Sequence, residues 1–212
     1  MDLSLDGARA HVYTGGRPFD PQRPTAVFIH GAAHDHSSWA LQSRYFAHHG
    51  FGVLAVDLPA HGRSAGPACT TIEAYAAWVL RVMDAAGAST ALLVGHSMGS
   101  LIALECAARA PDRVARLALI GTNFPMAVSN ELLAATANEE RRADNMINAW
   151  SHAAYAHYPG SAGPGTWVPG ANLRLLHRAH PGVLNNDFDA CNRYDAGRTS
   201  AATSKADAIV LF

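Results

Sequence analysis

Short apolar runs and longer amphipathic stretches take turns along the first half of the chain. Thr25–His30, "TAVFIH", is an almost unbroken apolar run between Pro24 and Gly31, and it predicts a strand buried on both faces. "FGVLAVDLP", "TALLVG" and "VARLALIG" repeat that pattern. Between these runs the apolar period is helical. Ser37 or Ser38 is a candidate cap for a helix through His49 that carries Trp39, Leu41, Tyr45 and Phe46, with Gly50 at its end. Thr70 and Glu73 have the spacing of a capping box, and the helix they open sets Ile72, Tyr75, Val79 and Val82 on one face before Gly87. Met98 to Ala110 reads as a third helix, stopped by Pro111. Ahead of all of these, Leu3–Leu5 and Ala8–Tyr13 flank Asp6-Gly7, a hairpin signature.

Strands alternating with helices predict an α/β fold, a mostly parallel sheet with helices on both faces. After Gly121 the alternation stops. A helical stretch from Glu131 to Tyr155 and a Pro/Gly-rich tract, "YPGSAGPGTWVPG", fill the interval before "DAIVLF" resumes the strand pattern. The expected organisation is a core over 1–122, a helical insertion laid over the sheet at 123–204, and a returning core strand in 205–212.

Composition narrows the function classes. The 212 residues are 49% apolar and 16% charged, which suits a globular domain, and a net charge of −1 gives no electrostatic basis for binding nucleic acid or an anionic membrane. Cys69, Cys106 and Cys191 are too scattered for a disulfide framework or a zinc site. No basic start precedes an apolar stretch at the N-terminus, and no apolar run approaches a membrane span, so a cytoplasmic protein is expected.

The chemistry-bearing stretch is "LLVGHSMGS". Gly95-His96-Ser97-Met98-Gly99 is Gly-x-Ser-x-Gly, set between a predicted strand and a predicted helix. Such a turn lifts a serine hydroxyl above the sheet edge, and small flanking residues let strand and helix approach closely. The helix that starts there offers free N–H groups and a positive dipole end to an anion. "HGAAHDHSSW" follows one strand and can aim a backbone N–H at the same point; "DLPAHGRS" follows the next.

Together these three stretches resemble the α/β-hydrolase family, in its branch of small bacterial esterase-like and peroxidase-like enzymes, and the resemblance runs from the first hairpin to the last residue. It implies Ser97 as nucleophile, the N–H groups of Ala32 and Met98 as an oxyanion hole, Gly95 and Gly99 as the elbow, and the insertion as a cap. The Asp57–Ser64 turn is structural by the same resemblance. The implied substrate is a small molecule with an ester or related acyl bond, and neither cofactor nor metal is implied. His34, His36, Trp150 and Tyr155 are candidates for the pocket; Trp150 and Tyr155, with Tyr158 and Trp167, are equally explained by packing within the cap.

The family's chain order is serine, acid, histidine. The acid belongs just past the strand that "DAIVLF" predicts and the histidine one strand later, so the last strand and helix of the fold are expected to be missing, and little ordinary esterase activity is expected. The bare C-terminal strand edge would then be open to self-association. Residues already present offer weak substitutes. His96 is expected to turn away from the serine hydroxyl, His34 and His36 lie on the neighbouring loop, and Asp187, Asp189 and Asp195 read as solvated or capping. A non-catalytic binding protein on the same fold is the alternative. A metal-dependent hydrolase using His30, His34 and His36 is a weaker one.

Overall fold

The computed structural model describes residues 1–153, 156 and 167–212. Among these, β1 (Asp2–Leu5), β2 (Ala8–Tyr13), β3 (Thr25–Ile29), β4 (Gly52–Val56), β5 (Ala91–His96), β6 (Val114–Ile120) and β7 (Asp207–Leu211) form one sheet in the order β1-β2-β4-β3-β5-β6-β7. β1, β2 and β4 pair antiparallel, and every neighbour from β4 through β7 pairs parallel. The hairpin turns at Asp6 and Gly7, both with positive φ. β3 and β4 are buried along their whole length, which is why they read as unbroken apolar runs.

Helices cover both faces. α1 (Ala40–His48) lies with Trp39, Phe46 and Phe28 on one side, and α2 (Ile72–Ala86) with α3 (Met98–Arg109) forms the larger core on the other. Between β6 and β7 come α4 (Asn130–Asn138), α5 (Glu140–Trp150), α6 (Val168–Leu176), α7 (Val183–Arg193) and α8 (Gly197–Thr203). Leu132, Ala135, Ala143, Leu176 and Leu184 from this segment close a further apolar cluster onto Ala33, beyond the carboxyl end of β3. The segment is also tied down by Glu105 on α3, whose carboxylate accepts from Tyr194 Oη at 2.9 Å and Ser200 Oγ at 2.7 Å.

Three local readings need correction. The cap of α2 is Thr71, whose Oγ1 accepts from the Ala74 N–H at 3.1 Å; Glu73 therefore sits one position short of a capping box. Asp35, not Ser37 or Ser38, opens the short 3-10 turn before α1, because a carboxylate outcompetes the serines for the free Ser37 N–H. The stretch from Glu131 is two helices, divided at Glu139, where the backbone leaves helical geometry (φ −143°, ψ 57°). Asn138 bonds the Ala134 carbonyl through its own side chain at that point. Tyr155 and Tyr158 lie outside the described residues.

β7 pairs with β6 along its length yet stays exposed, with Ile209 at 56% and Leu211 at 46%. No described helix is long and apolar enough to cross a membrane.

Candidate active site at the carboxyl rim of the sheet

The sequence bends sharply where β5 hands over to α3. Ser97 occupies that bend at φ 52°, ψ −121°, a conformation an L-residue holds only when its surroundings enforce it. The enforcement is visible. The Ser97 N–H donates to the Ile120 carbonyl at 2.9 Å, and the Ser97 carbonyl accepts from Ser100 N at 2.8 Å and Ser100 Oγ at 2.6 Å. A Cβ on Gly95 would stand 2.1 Å from the Gly99 carbonyl oxygen, and one on Gly99 would stand 2.3 Å from the Ile29 oxygen. Both positions demand glycine because strand, helix and neighbouring strand touch backbone to backbone.

Gly31 presses the next loop against this bend; its Cβ would lie 3.1 Å from His96 Nδ1 and 3.4 Å from Ser97 Cβ. Ala32 follows, and Ala33 turns the chain with φ 55°. Met98 opens α3 with its side chain fully buried, so its N–H is among the helix's free first-turn donors. Among the described residues neither the Ala32 nor the Met98 N–H has a hydrogen-bond partner.

A cavity of about 400 Å³ opens above the bend. Gly31, Ala32 and Ser97 form its floor; Leu132, Ile147, Leu176, Leu184 and Phe188 give it an apolar wall, and His34, His96, His152 and Asn172 a polar one. Trp150 stands at its margin, 62% exposed. No described side chain hydrogen-bonds the Ser97 hydroxyl. His96, expected to turn away, lines the same cavity. Its ring lies nearly parallel to that of His34, with centroids 6.3 Å apart. Burial pushes both imidazoles down, His34 to about 4 with the neighbouring His96 adding to the effect, so both are neutral near pH 7.

His36 does not reach this cavity. Its Nδ1 lies 2.8 Å from Asp57 Oδ1, and its ring sits beside those of His11 and Tyr13. Asp57 also accepts the N–H groups of His36 and Arg63, so the "DLPAHGRS" turn is a structural knot. His11, His36 and Asp57 offer ligand atoms within 4.8 Å of one another, but both Asp57 oxygens are already engaged by these donors. His30, His34 and His36 do not converge. His30 is fully buried, its Nδ1–H donating to the Gly31 carbonyl at 2.8 Å and its Nε2 accepting from the Leu58 N–H at 3.1 Å. Burial, aided by the neighbouring His61, pushes it down to about 3. Burial also raises the cysteine thiols, Cys69 to about 11 and Cys191 to about 12, which removes them as nucleophiles.

Asp187 is the largest departure from expectation. Read as solvated or capping, it is fully buried, because three other elements supply donors to it. Its Oδ2 lies 2.8 Å from His61 Nε2 and accepts the Ala33 N–H at 3.0 Å, and its Oδ1 accepts from Tyr75 Oη at 2.8 Å. No local signal pointed to it: the partners lie 112 to 154 residues away. Asp195 is exposed and Asp189 pairs with Arg193 on the surface.

Comparison with known proteins agrees with this geometry. Residues 24–161 match the family described as alpha/beta hydrolase fold. The chain is 41% identical over 97 residues to the dihydrolipoyllysine-residue acetyltransferase component of the acetoin cleaving system of Cupriavidus necator, covering 45% of this chain and 26% of that protein. It is 28% identical over 223 residues to an epoxide hydrolase of Caballeronia sordidicola, covering 93% of this chain and 66% of the relative. These alignments thus span about a quarter to two-thirds of the relatives' own lengths. Among solved structures, the enol-lactonase of Burkholderia xenovorans superposes with a TM-score of 0.80 at 24% identity, over 99% of this chain and 80% of that one. A strand-turn-helix rim with a strained serine, a parallel sheet covered on both faces, and a family match over most of the chain place this protein in the alpha/beta hydrolase fold family.

Proposed function

We propose that this protein is a serine hydrolase acting on an ester, lactone or related acyl bond of a small molecule. Ser97 is the nucleophile, the N–H groups of Ala32 and Met98 are the oxyanion donors, and residues 123–204 cap a core of 1–122 and 205–212. The observation that carries the reading is Ser97 itself. Its backbone is held at φ 52° between two glycines that tolerate no side chain, and on the floor of a cavity its hydroxyl has no hydrogen-bond partner among the described residues. Strain of this kind costs on the order of 1–3 kcal/mol and persists where geometry serves a function.

In this reading Ser97 Oγ attacks the carbonyl carbon as its proton passes through water in the cavity to the leaving oxygen, and the carbonyl electron pair moves onto oxygen, facing the two N–H groups. Collapse expels the alkoxide or ring oxygen, which takes up a proton, and water then cleaves the acyl-enzyme. The apolar wall of Leu132, Ile147, Leu176, Leu184 and Phe188 suits the hydrocarbon part of such a substrate. A hydroxyl nucleophile suits an acyl carbonyl, which favours this chemistry over opening an epoxide. Three free thiols suit a reducing cytoplasm, and the exposed β7 edge suits pairing between copies.

No described side chain hydrogen-bonds the Ser97 hydroxyl, so slow turnover is expected of this site. A site lacking part of its triad retains roughly a thousandfold to ten-thousandfold over water. Hydrolysis of a chromogenic acetate ester by the chain and by Ser97→Ala tests this. Slow turnover that disappears in the variant is expected. Equal rates for the two proteins would instead identify a binding protein on a hydrolase fold, and a rate typical of intact enzymes would mean that a base within the chain serves Ser97, His34, His96 and His152 being the histidines of the cavity wall.

A further inference from the structure

The same helix that walls the cavity also grips the loop beneath it. Leu184 and Phe188 of α7 line the cavity over Ser97, while Asp187, between them, points into the protein. Its carboxylate gathers donors from three separate elements: Ala33 in the loop after β3, His61 in the loop after β4 and Tyr75 in α2. Asn186 Nδ2 approaches Oδ1 as well, at 3.3 Å, and donates to the Cys69 carbonyl at 2.8 Å.

The hydrogen bonds fix the protons. His61 Nδ1 faces the Pro59 carbonyl at 2.9 Å, and a carbonyl can only accept, so Nδ1 carries hydrogen. Nε2 faces Asp187 Oδ2, an oxygen that already accepts the Ala33 N–H. With donors on both carboxylate oxygens, Asp187 is the anion and His61 carries hydrogen on both nitrogens. Burial opposes charge on each, but their mutual attraction and hydrogen bonds outweigh it, raising His61 and lowering Asp187. The groups facing the pair are His30, His34, Asp57, Tyr75, Cys69 and Cys191.

We infer that Asp187 and His61 form a buried charged latch through which α7 positions the Gly31–Ala33 loop, so that the Ala32 N–H is aimed at the Ser97 site only while α7 is seated. They are positioning residues and touch no substrate. Ala33 is the point of purchase: a non-glycine residue at φ 55° whose N–H is bound by Asp187, immediately after the residue assigned to the oxyanion. A substrate that packs on Leu184 and Phe188 would thereby bear on the loop that stabilises its own transition state. The latch deepens the reading of Ser97 as nucleophile and rests on it for its catalytic consequence, but not for its structure.

The test uses the isotopically labelled full chain. At pH 7, long-range proton–nitrogen spectra should show both His61 ring nitrogens protonated. In Asp187→Asn, hydrogen exchange at the Ala33 amide should quicken at least tenfold relative to the Val27 amide in β3, and modification of Ser97 by a fluorophosphonate should slow at least tenfold. The relative rate separates loss of the latch from general loosening. A neutral His61, or Ala33 exchange unchanged relative to Val27, overturns the latch. If Asp187→Asn does not fold, Tyr75→Phe decides, because it removes one donor and keeps the ring. Ala33 should then exchange several-fold faster relative to Val27, and no change overturns the inference. Ser97→Ala should leave the His61 and Ala33 signals as they are. Absence of Ser97 modification in the unaltered chain therefore counts against the proposed nucleophile, while the latch is judged on His61 and Ala33 alone.

Discussion

The rim of the sheet and the helices above it enclose one cavity by different means. At the rim, backbone meets backbone: Gly95 against Gly99, and Gly99 against the carbonyls of Ile29 and His30. Above it, side chains reach across the fold. Asp187 finds His61, Tyr75 and Ala33, and Arg178 finds Asp35 and Ser37. The first kind of contact admits one residue type and so leaves a motif in the sequence. The second needs only a carboxylate somewhere and a donor somewhere else, and it leaves none.

The largest effect should come from filling the rim. In Gly95→Ala the new methyl would meet the Gly99 oxygen at 2.1 Å and the Gly99 carbonyl carbon at 2.4 Å, and backbone atoms cannot rotate aside. The expected destabilisation is at or above the upper end of overpacking costs, about 3 kcal/mol, together with loss of Ser97 modification. Gly31→Ala meets a histidine side chain at 3.1 Å, which can yield, and should cost about a third as much. Denaturant midpoints measure both. Equal midpoints for Gly95→Ala and the unaltered chain would remove the distinction between the two regions.

This contrast explains what was legible. The hairpin, the buried strands and the elbow context each depend on neighbours a few residues apart, and each was readable from Asp6-Gly7, from "TAVFIH" and from Gly95 to Gly99. The insertion was readable as a break in alternation, but its joints were not. Asn138 ends α4 through its side chain, a competition that periodicity does not register. His36 shared a loop with His34 in sequence, yet Asp57 drew it to the other side of that loop. Asp187 looked like any polar residue on a helix because its partners are brought in by topology. The signal that was available for His61 was its place in "DLPAHGRS", though nothing in that stretch names Asp187 as its counterion.

Acid should separate the two regions further. His30, His34 and His96 are held neutral by burial, with lowered affinity for protons. Their contribution to stability is therefore complete above the unfolded value of about 6.5 and is lost as pH falls toward about 3 for His30 and about 4 for His34. Each such histidine contributes a slope of about 1.4 kcal/mol per pH unit in that window. His61 has the opposite sign: its contribution is complete below about 6.5 and fades only as pH rises from there through its raised folded value. Asp187, lowered, contributes above about 3.9 and loses its share only in stronger acid. Urea midpoints between pH 8 and pH 5 should fall on the acid side, and His34→Gln should flatten that fall. A variant that leaves the acid slope unchanged would mean that His34 is protonated in the folded chain.

The smallest effect should come from the surface end of the same helical segment. Arg178 follows α6 and reaches Asp35 Oδ2 at 2.7 Å and Ser37 Oγ at 2.9 Å, joining the overlying helices to the loop after β3 much as Asp187 does. The resemblance is one of connectivity, not of energy. The Arg178 side chain is 58% exposed, so water and salt compete for its charge, and Asp35 keeps the Ser37 N–H when the guanidinium is gone. Arg178→Ala should therefore cost under about 1 kcal/mol, shrink further in high salt, and leave the rate of Ser97 modification unchanged. If it destabilised the chain as much as Asp187→Asn, burial would not be what distinguishes the two clasps, and the hold of the helices on the Gly31–Ala33 loop would have to be shared along their whole boundary with the sheet.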